Sequence, residues 1–172
     1  MTNSALLEKI NIWARELGFQ QIGVSDIDVT EHAQHLQHWL EKNYHADMEW
    51  MAHHAQLRAH PEQLHPGTLC IISVRMDYLP DDDKNLIAKL SKDGSAYIAR
   101  YTLGRDYHKL MRKRLAQLAQ KIETHTAHKH RALVDSAPVL ERAFAQKSGL
   151  GWIGKNTMLI NSNAGSYFFL GE

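Results

Sequence analysis

The stretch from Val134 to Thr157 limits what this chain can fold into more than any other part of the sequence. An apolar segment ends at Asp135, and Pro138 then opens an amphipathic segment that leads to a glycine-rich loop. Because proline suits the first turn of a helix, this order predicts a strand, a helix that begins near Pro138, and a tight turn. We interpret the stretch as part of an α/β fold, in which strand ends commonly carry the functional side chains.

Asp135 lies where the predicted strand gives way to the helix. In an open α/β sheet, a side chain at this position points into the ligand crevice, where a carboxyl group can donate or accept a proton. A carboxylate can also cap a helix N-terminus, and Ser136 would serve as a cap equally well. The residues alone leave both interpretations open, and capping is the more common use of such an aspartate.

The loop after the predicted helix contains Gly149, Gly151 and Gly154, followed by Lys155 and Asn156. Glycine tolerates positive φ angles and lets a ligand approach the backbone closely. The spacing resembles a phosphate-binding P-loop, but Asn156 stands where that motif needs serine or threonine, and a helix precedes the glycines instead of following them. A P-loop is therefore disfavoured, and the loop either cradles a cofactor or makes a tight turn into a strand.

The rest of the chain alternates between helical and strand patterns. Apolar stripes at helical spacing predict helices over residues 4–17, 31–42, 47–55 and 106–124, the second capped by Thr30. Apolar runs predict strands over residues 19–24, 69–74, 96–101, 131–134, 157–161 and 167–170, the last two as a hairpin. The continuous run at 69–74 is typical of a central strand, and loops are predicted over 57–67 and 79–95.

Length and composition restrict the class of protein. A chain of 172 residues suits one domain, and a charged fraction of 23% is ordinary for a globular protein. No apolar run approaches the roughly 18 residues needed to span a bilayer, and the N-terminus lacks a signal-peptide pattern, so we expect a cytoplasmic protein without a membrane partner. The single cysteine, Cys70, excludes an intramolecular disulfide and is predicted to be a small buried core residue.

Three polar clusters are candidate binding sites, and none of them predicts a metal site. His32, His35 and His38 share a helix face without a fitting further ligand, and the aspartates at 81–83 are adjacent on a loop, so solvated surface is favoured for both. Five cations lie at the start of the helix predicted over 106–124, namely Arg105, Lys109, Arg112, Lys113 and Arg114. They either contact a phosphate backbone or form an ordinary solvated helix face. A formal net charge of +1 means that a nucleic-acid partner would need such a local patch.

Four blocks of the sequence, taken together, resemble the epoxyqueuosine reductases. They are Arg-Tyr-Thr-Leu-Gly-Arg-Asp-Tyr-His-Lys at 100–109, Val-Asp-Ser-Ala-Pro-Val-Leu-Glu-Arg-Ala at 134–143, Gly-Leu-Gly-Trp-Ile-Gly-Lys-Asn-Thr at 149–157 and Gly-Ser-Tyr-Phe-Phe-Leu-Gly-Glu at 165–172. The blocks occur in the order found in that family, and the resemblance covers essentially the whole chain. Such a combination is more specific than any single motif.

The resemblance implies a cytoplasmic, cobalamin-dependent oxidoreductase that reduces epoxyqueuosine to queuosine at the wobble position of transfer RNA. It implies an α/β fold, an α+β sandwich of the nitroreductase-like or reductive-dehalogenase-like corrinoid type. A downstream ferredoxin-like domain of the family holds two 4Fe-4S clusters through cysteine runs that this chain lacks. Residues 1–172 are therefore expected to be a single cobalamin-binding and catalytic domain, truncated before the iron–sulfur domain and inactive without it. The expected partners are the modified transfer RNA and an external electron donor, and a monomer is expected.

The resemblance also assigns roles to individual residues. Asp135 matches the family's proposed general acid, which would protonate the oxygen of the opening epoxide. An ordinary aspartic acid is ionised at neutral pH, so this role requires burial or a neighbouring charge that favours the protonated form. The positions that match the corrin-lining residues of the family are Arg58, Ala99, Asp135, Arg142, Gly154, Lys155 and Asn156. The basic helix start would meet transfer RNA phosphates, in a single-stranded anticodon loop, or corrin propionamides.

Two other functions remain open. The lack of cysteine runs is also typical of a non-catalytic corrinoid-binding module. Kinship between the expected fold and the nitroreductases suggests a flavin-binding reductase as a further alternative.

Overall fold

The structure is a computed structural model that describes residues 3–79, 90, 91, 93, 94 and 96–172. Its helices are α1 (Asn3–Glu16), α2 (Thr30–Glu41), α3 (Glu49–His53), α4 (Ala55–Ala59), α5 (Pro61–Leu64), α6 (Tyr107–Glu123) and α7 (Glu141–Lys147). Its strands are β1 (Gln21–Ser25), β2 (Ile71–Asp77), β3 (Trp152–Ile153), β4 (Leu159–Ile160) and β5 (Phe168–Gly171). One turn of 3₁₀ helix covers Arg100–Thr102.

The main sheet has the strand order β1-β2-β5, and both pairings are antiparallel. Ile22 of β1 and Gly171 of β5 both lie opposite Val74, so β2 occupies the centre. Five of the seven β2 residues are buried, as the continuous apolar run predicts for a central strand. The crevice rule of parallel sheets, from which a role for Asp135 was argued, does not apply to this antiparallel sheet.

Helices cover both faces of the sheet, because side chains of a strand alternate between its faces. Val74 and Met76 pack with α1 and α6 through Ala14, Met111 and Leu115. On the other face, Ile71 packs with Ala143 and Phe144 of α7. This sandwich of helices and sheet confirms the predicted α/β class, and it places the first turns of α6 and α7 beside the end of β5.

The helices α1 and α6 and the strand β1 are confirmed within a few residues of their predicted bounds. Asp106 caps α6 by accepting a hydrogen bond from the backbone N–H of His108 at 3.0 Å. The predicted cap of α2 is wrong, since Thr30 is itself helical and its hydroxyl donates to Asp28 instead. The helix predicted over 47–55 divides into α3 and α4, and the loop predicted over 57–67 contains parts of α4 and α5.

The predicted hairpin between residues 157–161 and 167–170 is wrong. β4 pairs with β3, whereas β5 pairs with β2, and only a single bridge joins Asn161 to Gly165. The hairpin of this region is thus β3–β4, and its tip carries Lys155 and Asn156. Local turn chemistry at 163–165 does form a turn, but long-range pairing with β2 takes the second strand away from β4.

The strands predicted over 96–101 and 131–134 do not form as such. The segment 96–101 ends in the 3₁₀ turn instead. Residues 131–134 nevertheless run beside β5, because Leu133 exchanges both backbone hydrogen bonds with Glu172, at 2.8 and 3.0 Å. The helix predicted near Pro138 begins at Glu141.

The prediction for Cys70 is also wrong. Cys70 is exposed and lies just before β2, although the nearby protein atoms desolvate its thiol enough to raise the pKa of that group. The aspartates at 81–83 lie outside the described residues. In the part of the chain that the structure describes, no three metal-ligating side chains come together, and no helix combines the length and apolar composition needed to cross a bilayer.

Candidate active site

Asp135 adopts a left-handed backbone conformation directly after the buried Val134, with a φ angle of 52°. Its backbone N–H donates to Glu141 Oε1 at 2.6 Å, while its side chain is 59% exposed. The residue before the first turn of α7 is Leu140, and no side chain caps that turn. The capping interpretation of Asp135 is therefore wrong, and its carboxylate is presented to the surface.

The partner of the Asp135 carboxylate is His108, in the first turn of α6. His108 Nε2 lies 2.8 Å from Asp135 Oδ2, and His108 Nδ1 lies 2.8 Å from Asp106 Oδ1. The hydrogen bond with Asp135 is the main cause that raises the pKa of His108, and Asp106 adds to it. The imidazolium form, which can direct one N–H toward each carboxylate, is therefore stabilised relative to that of a free histidine.

Glu141 lies beneath this pair as a largely buried carboxyl group. Burial raises its pKa to about 7, the charge of Asp135 adds to this, and Arg142 and Arg58 oppose it. The side chain of Glu172 is fully buried nearby, and burial together with Glu141 raises its pKa well above the ordinary value. Two neighbouring carboxyl groups in a poorly solvated place favour shared protonation over two negative charges.

Tyr107 forms a fixed aromatic wall beside His108. Its ring stacks on Phe169 of β5 at a centroid distance of 3.8 Å and on His108 at 4.0 Å. Burial, reinforced by the charges of Asp135 and Glu141, raises the pKa of Tyr107 to about 12. The tyrosine therefore keeps its hydroxyl proton at neutral pH and fixes the ring of His108 by stacking.

Arg58 is a predicted corrin-lining residue whose charge reaches the largely buried Glu141. It belongs to α4, its guanidinium lies 5.3 Å from the ring centroid of Trp50, and its charge acts on Glu141. Its Nε atom is buried and has no hydrogen-bond partner among the described residues. A buried donor without a partner is expected to serve a ligand or a further group.

Arg142 connects Asp135 and Glu141 to the tip of the β3–β4 hairpin, because its guanidinium donates to the carbonyl of Thr157. The tip closes through a hydrogen bond from Thr157 N–H to the carbonyl of Gly154 at 2.9 Å. Lys155 and Asn156 are exposed there, and Asn156 Oδ1 accepts from the N–H of Met158 at 3.2 Å. The structure thus brings together five of the predicted positions, which are Asp135, Arg142, Gly154, Lys155 and Asn156.

The small size of Gly154 is explained by the hairpin itself. A β-carbon there would lie 2.6 Å from Ile160 Cδ1 and 2.9 Å from Asn156 Oδ1. Ala99, the remaining predicted position, is exposed and accepts from Thr102 within its own turn. No described hydrogen bond joins it to Asp135 or to the hairpin tip.

An open groove of about 960 Å³ runs along α6 next to the site. Four of the five predicted cations line it, namely Arg105, Lys109, Lys113 and Arg114. Its aromatic wall consists of Tyr78, Tyr107 and Phe169. The fifth cation, Arg112, donates instead to Ser136 Oγ at 3.2 Å. Because Tyr107 belongs to both the groove and the wall beside His108, the groove leads toward Asp135.

The sequence patterns indicate no individual role for His108, Tyr107, Glu141 or Glu172. One signal for Glu141 is present in the sequence, since it is an acid at the start of a short helix whose next turn, Ala143 to Ala145, is apolar. Tyr107 and His108, which follow the cap Asp106, carry no such signal in the sequence. Their role depends on the contact of His108 with Asp135 and of Tyr107 with Phe169.

Comparisons with known proteins bear on this site. Residues 58–136 match the family described as "Epoxyqueuosine reductase QueG, DUF1730". The chain is 56% identical over 168 residues to the epoxyqueuosine reductase of Pseudomonas aeruginosa and 52% identical to that of Escherichia coli. These matches cover 97% of this chain but 46% and 44% of those two relatives, so the chain spans about half the length of the curated relatives it matches.

Solved structures of the same family share the fold. The epoxyqueuosine reductase of Streptococcus thermophilus aligns with a TM-score of 0.75 at 26% identity, over 96% of this chain and 44% of that one. An epoxyqueuosine reductase crystallised with an epoxyqueuosine-modified tRNA-Tyr stem loop aligns with a TM-score of 0.78 at 22% identity, over 98% of this chain and 44% of that one. The fold is therefore that of a corresponding part of these reductases, and the sequence is similar to that part of the curated epoxyqueuosine reductases over nearly all of its length.

Proposed function

We propose that this chain is the cobalamin- and substrate-binding part of an epoxyqueuosine reductase, in which Asp135 is the proton donor. The observation that carries the proposal is the exposed Asp135 carboxylate, hydrogen-bonded to His108 on one side and anchored through its backbone to Glu141 on the other. The relatives named epoxyqueuosine reductase support the reaction type. In this proposal the protein acts in the cytoplasm as a monomer with an external electron donor.

The residues around Asp135 suit the proton chemistry of this reaction. Reducing an epoxide to an alkene consumes two electrons and two protons, and the oxygen leaves as water. Asp135 in its acid form would protonate the oxygen as the ring opens. His108, which lies between Asp106 and Asp135, would in its protonated form then return a proton to Asp135 across the 2.8 Å contact. The open face of Asp135 leaves room for the substrate oxygen.

The residues present fit a corrinoid on the same face. Arg58 offers a buried donor without a partner among the described residues, and Arg142, Lys155 and Asn156 add cationic and amide groups suited to a ligand rich in amides. Arg58, Ala99, Arg142, Gly154, Lys155 and Asn156 would hold the group in this proposal. Cobalamin, when bound, supplies the centre through which electrons reach the epoxide carbon. In the whole protein, the 4Fe-4S clusters of a downstream domain would deliver these electrons.

A modified transfer RNA is the proposed macromolecular partner. The solved epoxyqueuosine reductase with a bound tRNA stem loop supports this choice. Cations that follow phosphates and aromatic rings that meet bases are the usual features of a surface that binds a single-stranded loop. The groove along α6 combines both, with Lys109 and Lys113 on one side and Tyr78 and Phe169 on the other.

Replacement of Asp135 by asparagine tests the proposal. In the full natural protein loaded with cobalamin, we expect Asp135→Asn to lower kcat for epoxide reduction by about 100-fold or more, because general acid catalysis commonly contributes that much. Binding of cob(II)alamin, followed by its absorption spectrum, and binding of the RNA should both persist. The matched control is Asp47→Asn, at an exposed position away from the site. Unchanged epoxide reduction in Asp135→Asn would remove Asp135 as the acid, and failure of the wild type to bind cob(II)alamin would remove the cofactor.

A further inference from the structure

The backbone of Asp135 is held in a conformation that residues with a side chain rarely adopt. Its φ angle of 52° lies in the left-handed region, which persists only where surrounding contacts hold it. The contact present is the hydrogen bond from the Asp135 N–H to Glu141 Oε1 at 2.6 Å. The preceding residue is fixed as well, because Val134 is 1% exposed and packs in the core with α6.

Glu141 is itself placed by a rigid element. It is the first residue of α7, whose Phe144 and Ala145 are completely buried against the sheet and the β3–β4 hairpin. The helix thus fixes the position from which the Glu141 carboxyl group accepts the Asp135 amide proton. In contrast, α7 does not use this carboxylate as a side-chain cap, although an acid in the first turn also suits the helix dipole.

We infer that Glu141 is a positioning residue, which holds the turn at Asp135 so that the Asp135 carboxyl group stays against His108 and toward the substrate. This inference rests on the proposed function, since positioning matters for the reaction only if Asp135 is the acid. The anchor itself is a property of the chain and can be measured without the cofactor or the substrate.

The protonation of Glu141 adjusts the strength of the anchor. Its carboxyl group is faced by Asp135, Arg58, Arg142 and Glu172, and burial raises its pKa to about 7. The Asp135 amide favours the ionised form of Glu141, so ionisation must in turn strengthen this hydrogen bond. The anchor should therefore tighten as pH rises through about 7.

Amide hydrogen exchange in the full natural protein measures the anchor directly. We expect Glu141→Ala to increase the exchange rate of the segment 134–140 by at least about tenfold, whereas Glu141→Gln, which keeps an acceptor oxygen, should preserve most of the protection. Protection of this segment, corrected for intrinsic exchange, should rise from pH 6 to pH 8 in the wild type but not in Glu141→Gln. Exchange of α6 provides the internal reference, and Glu8→Ala on the exposed side of α1 is the control variant.

Kinetics of the cobalamin-loaded enzyme test the consequence. Displacement of a catalytic group by about 1 Å commonly lowers the reaction rate about 100-fold. Glu141→Ala should therefore lower kcat by this factor, while KM for the RNA stays unchanged. Glu141→Gln should recover most of the loss. Unaltered exchange at 134–140 in Glu141→Ala would overturn the anchor, and faster exchange with unaltered kcat would overturn the positioning role. If Glu141→Ala does not fold, identical pH dependence of protection in Glu141→Gln and the wild type overturns the inference. A failure of the proposed function would show instead as full activity in Asp135→Asn.

Discussion

Asp135 takes its properties from two residues of different elements. His108 at the start of α6 contacts its carboxylate, and Glu141 at the start of α7 contacts its amide. The expectation that burial would adapt Asp135 for acid catalysis is not met by this chain alone, because its side chain is mostly exposed. What the chain supplies instead is a neighbouring histidine, His108, whose own pKa is raised by its hydrogen bond with Asp135. In the proposed mechanism, the proton source would be this pair of side chains and not one residue.

The pairing of His108 with Asp135 predicts a measurable change in titration. Since the hydrogen bond with Asp135 raises the pKa of His108, Asp135→Asn should lower the pKa of His108 toward its ordinary value near 6.5. Titration of the imidazole Cε1–H resonance by NMR measures this, and the other histidines serve as references in the same spectra. An unchanged titration of His108 in Asp135→Asn would contradict the pairing.

The same contact also affects stability, with a definite sign. A histidine whose pKa is raised by folding stabilises the folded state below its ordinary pKa. This contribution is lost as pH rises through the raised, folded-state pKa of His108. The pair therefore stabilises the turn at Asp135 most in mildly acidic solution.

At the scale of elements, α6 serves the core and the surface at once. Met111, Leu115 and Leu118 bury one side of the helix, and Lys109 and Lys113 line the groove on another. This division follows from helical periodicity, in which residues three and four apart share a face. The basic start of α6 is thus exposed as one surface next to the aromatic wall of Tyr107 and Phe169.

The groove on α6 predicts a salt-dependent effect on RNA affinity. Lys109→Gln and Lys113→Gln together should weaken binding of an anticodon stem loop and reduce the slope of log K against log salt concentration by about one per lysine removed. Fluorescence anisotropy over a range of salt concentrations measures this slope. Lys42→Gln at the end of α2 is the control and should keep the wild-type slope. An unchanged slope in the double variant would exclude these lysines from phosphate contact.

The elements also show where local patterns fail. The apolar run at 167–170 predicts a strand, and β5 forms one residue later, at Phe168–Gly171, yet its partner is β2 and not the neighbouring segment at 157–161. Apolar alternation and turn residues describe one strand at a time and contain no information about distant partners. For the same reason, the sequence did not show that the hairpin tip at 154–157 would lie next to Arg142.

At the scale of the whole molecule, the sandwich places two carboxyl groups where water is scarce. Burial raises the pKa of Glu141 to about 7 and that of Glu172 well above its ordinary value. The folded state therefore binds protons more tightly than the unfolded chain. Stability from this source is full below a pH of about 4.5 and is lost as pH rises through the folded pKa values.

This linkage predicts that the protein is less stable in mild alkali than in mild acid. Between pH 5.5 and pH 8, the raised pKa of Glu141 should remove on the order of 2 kcal/mol from the free energy of unfolding. Urea unfolding followed by tryptophan fluorescence measures the difference. Glu141→Gln should show a smaller loss over this range, and Glu8→Gln, at an exposed position, should behave as the wild type. Equal pH dependence in Glu141→Gln and the wild type would contradict the buried titration of Glu141.

The sequence by itself determined the helices α1 and α6, the central position of β2 and the resemblance to the epoxyqueuosine reductases. Hydrophobic periodicity depends on residues that are close together in the chain, and a motif depends only on the order of its residues, so both can be recognised in a single sequence. Only the tertiary structure decided that His108 and Glu141 hold Asp135, that β5 pairs with β2, and that Cys70 is exposed. Each of these depends on hydrogen bonds and burial between segments that are distant in the chain, which form only when the sheet and its helices pack together.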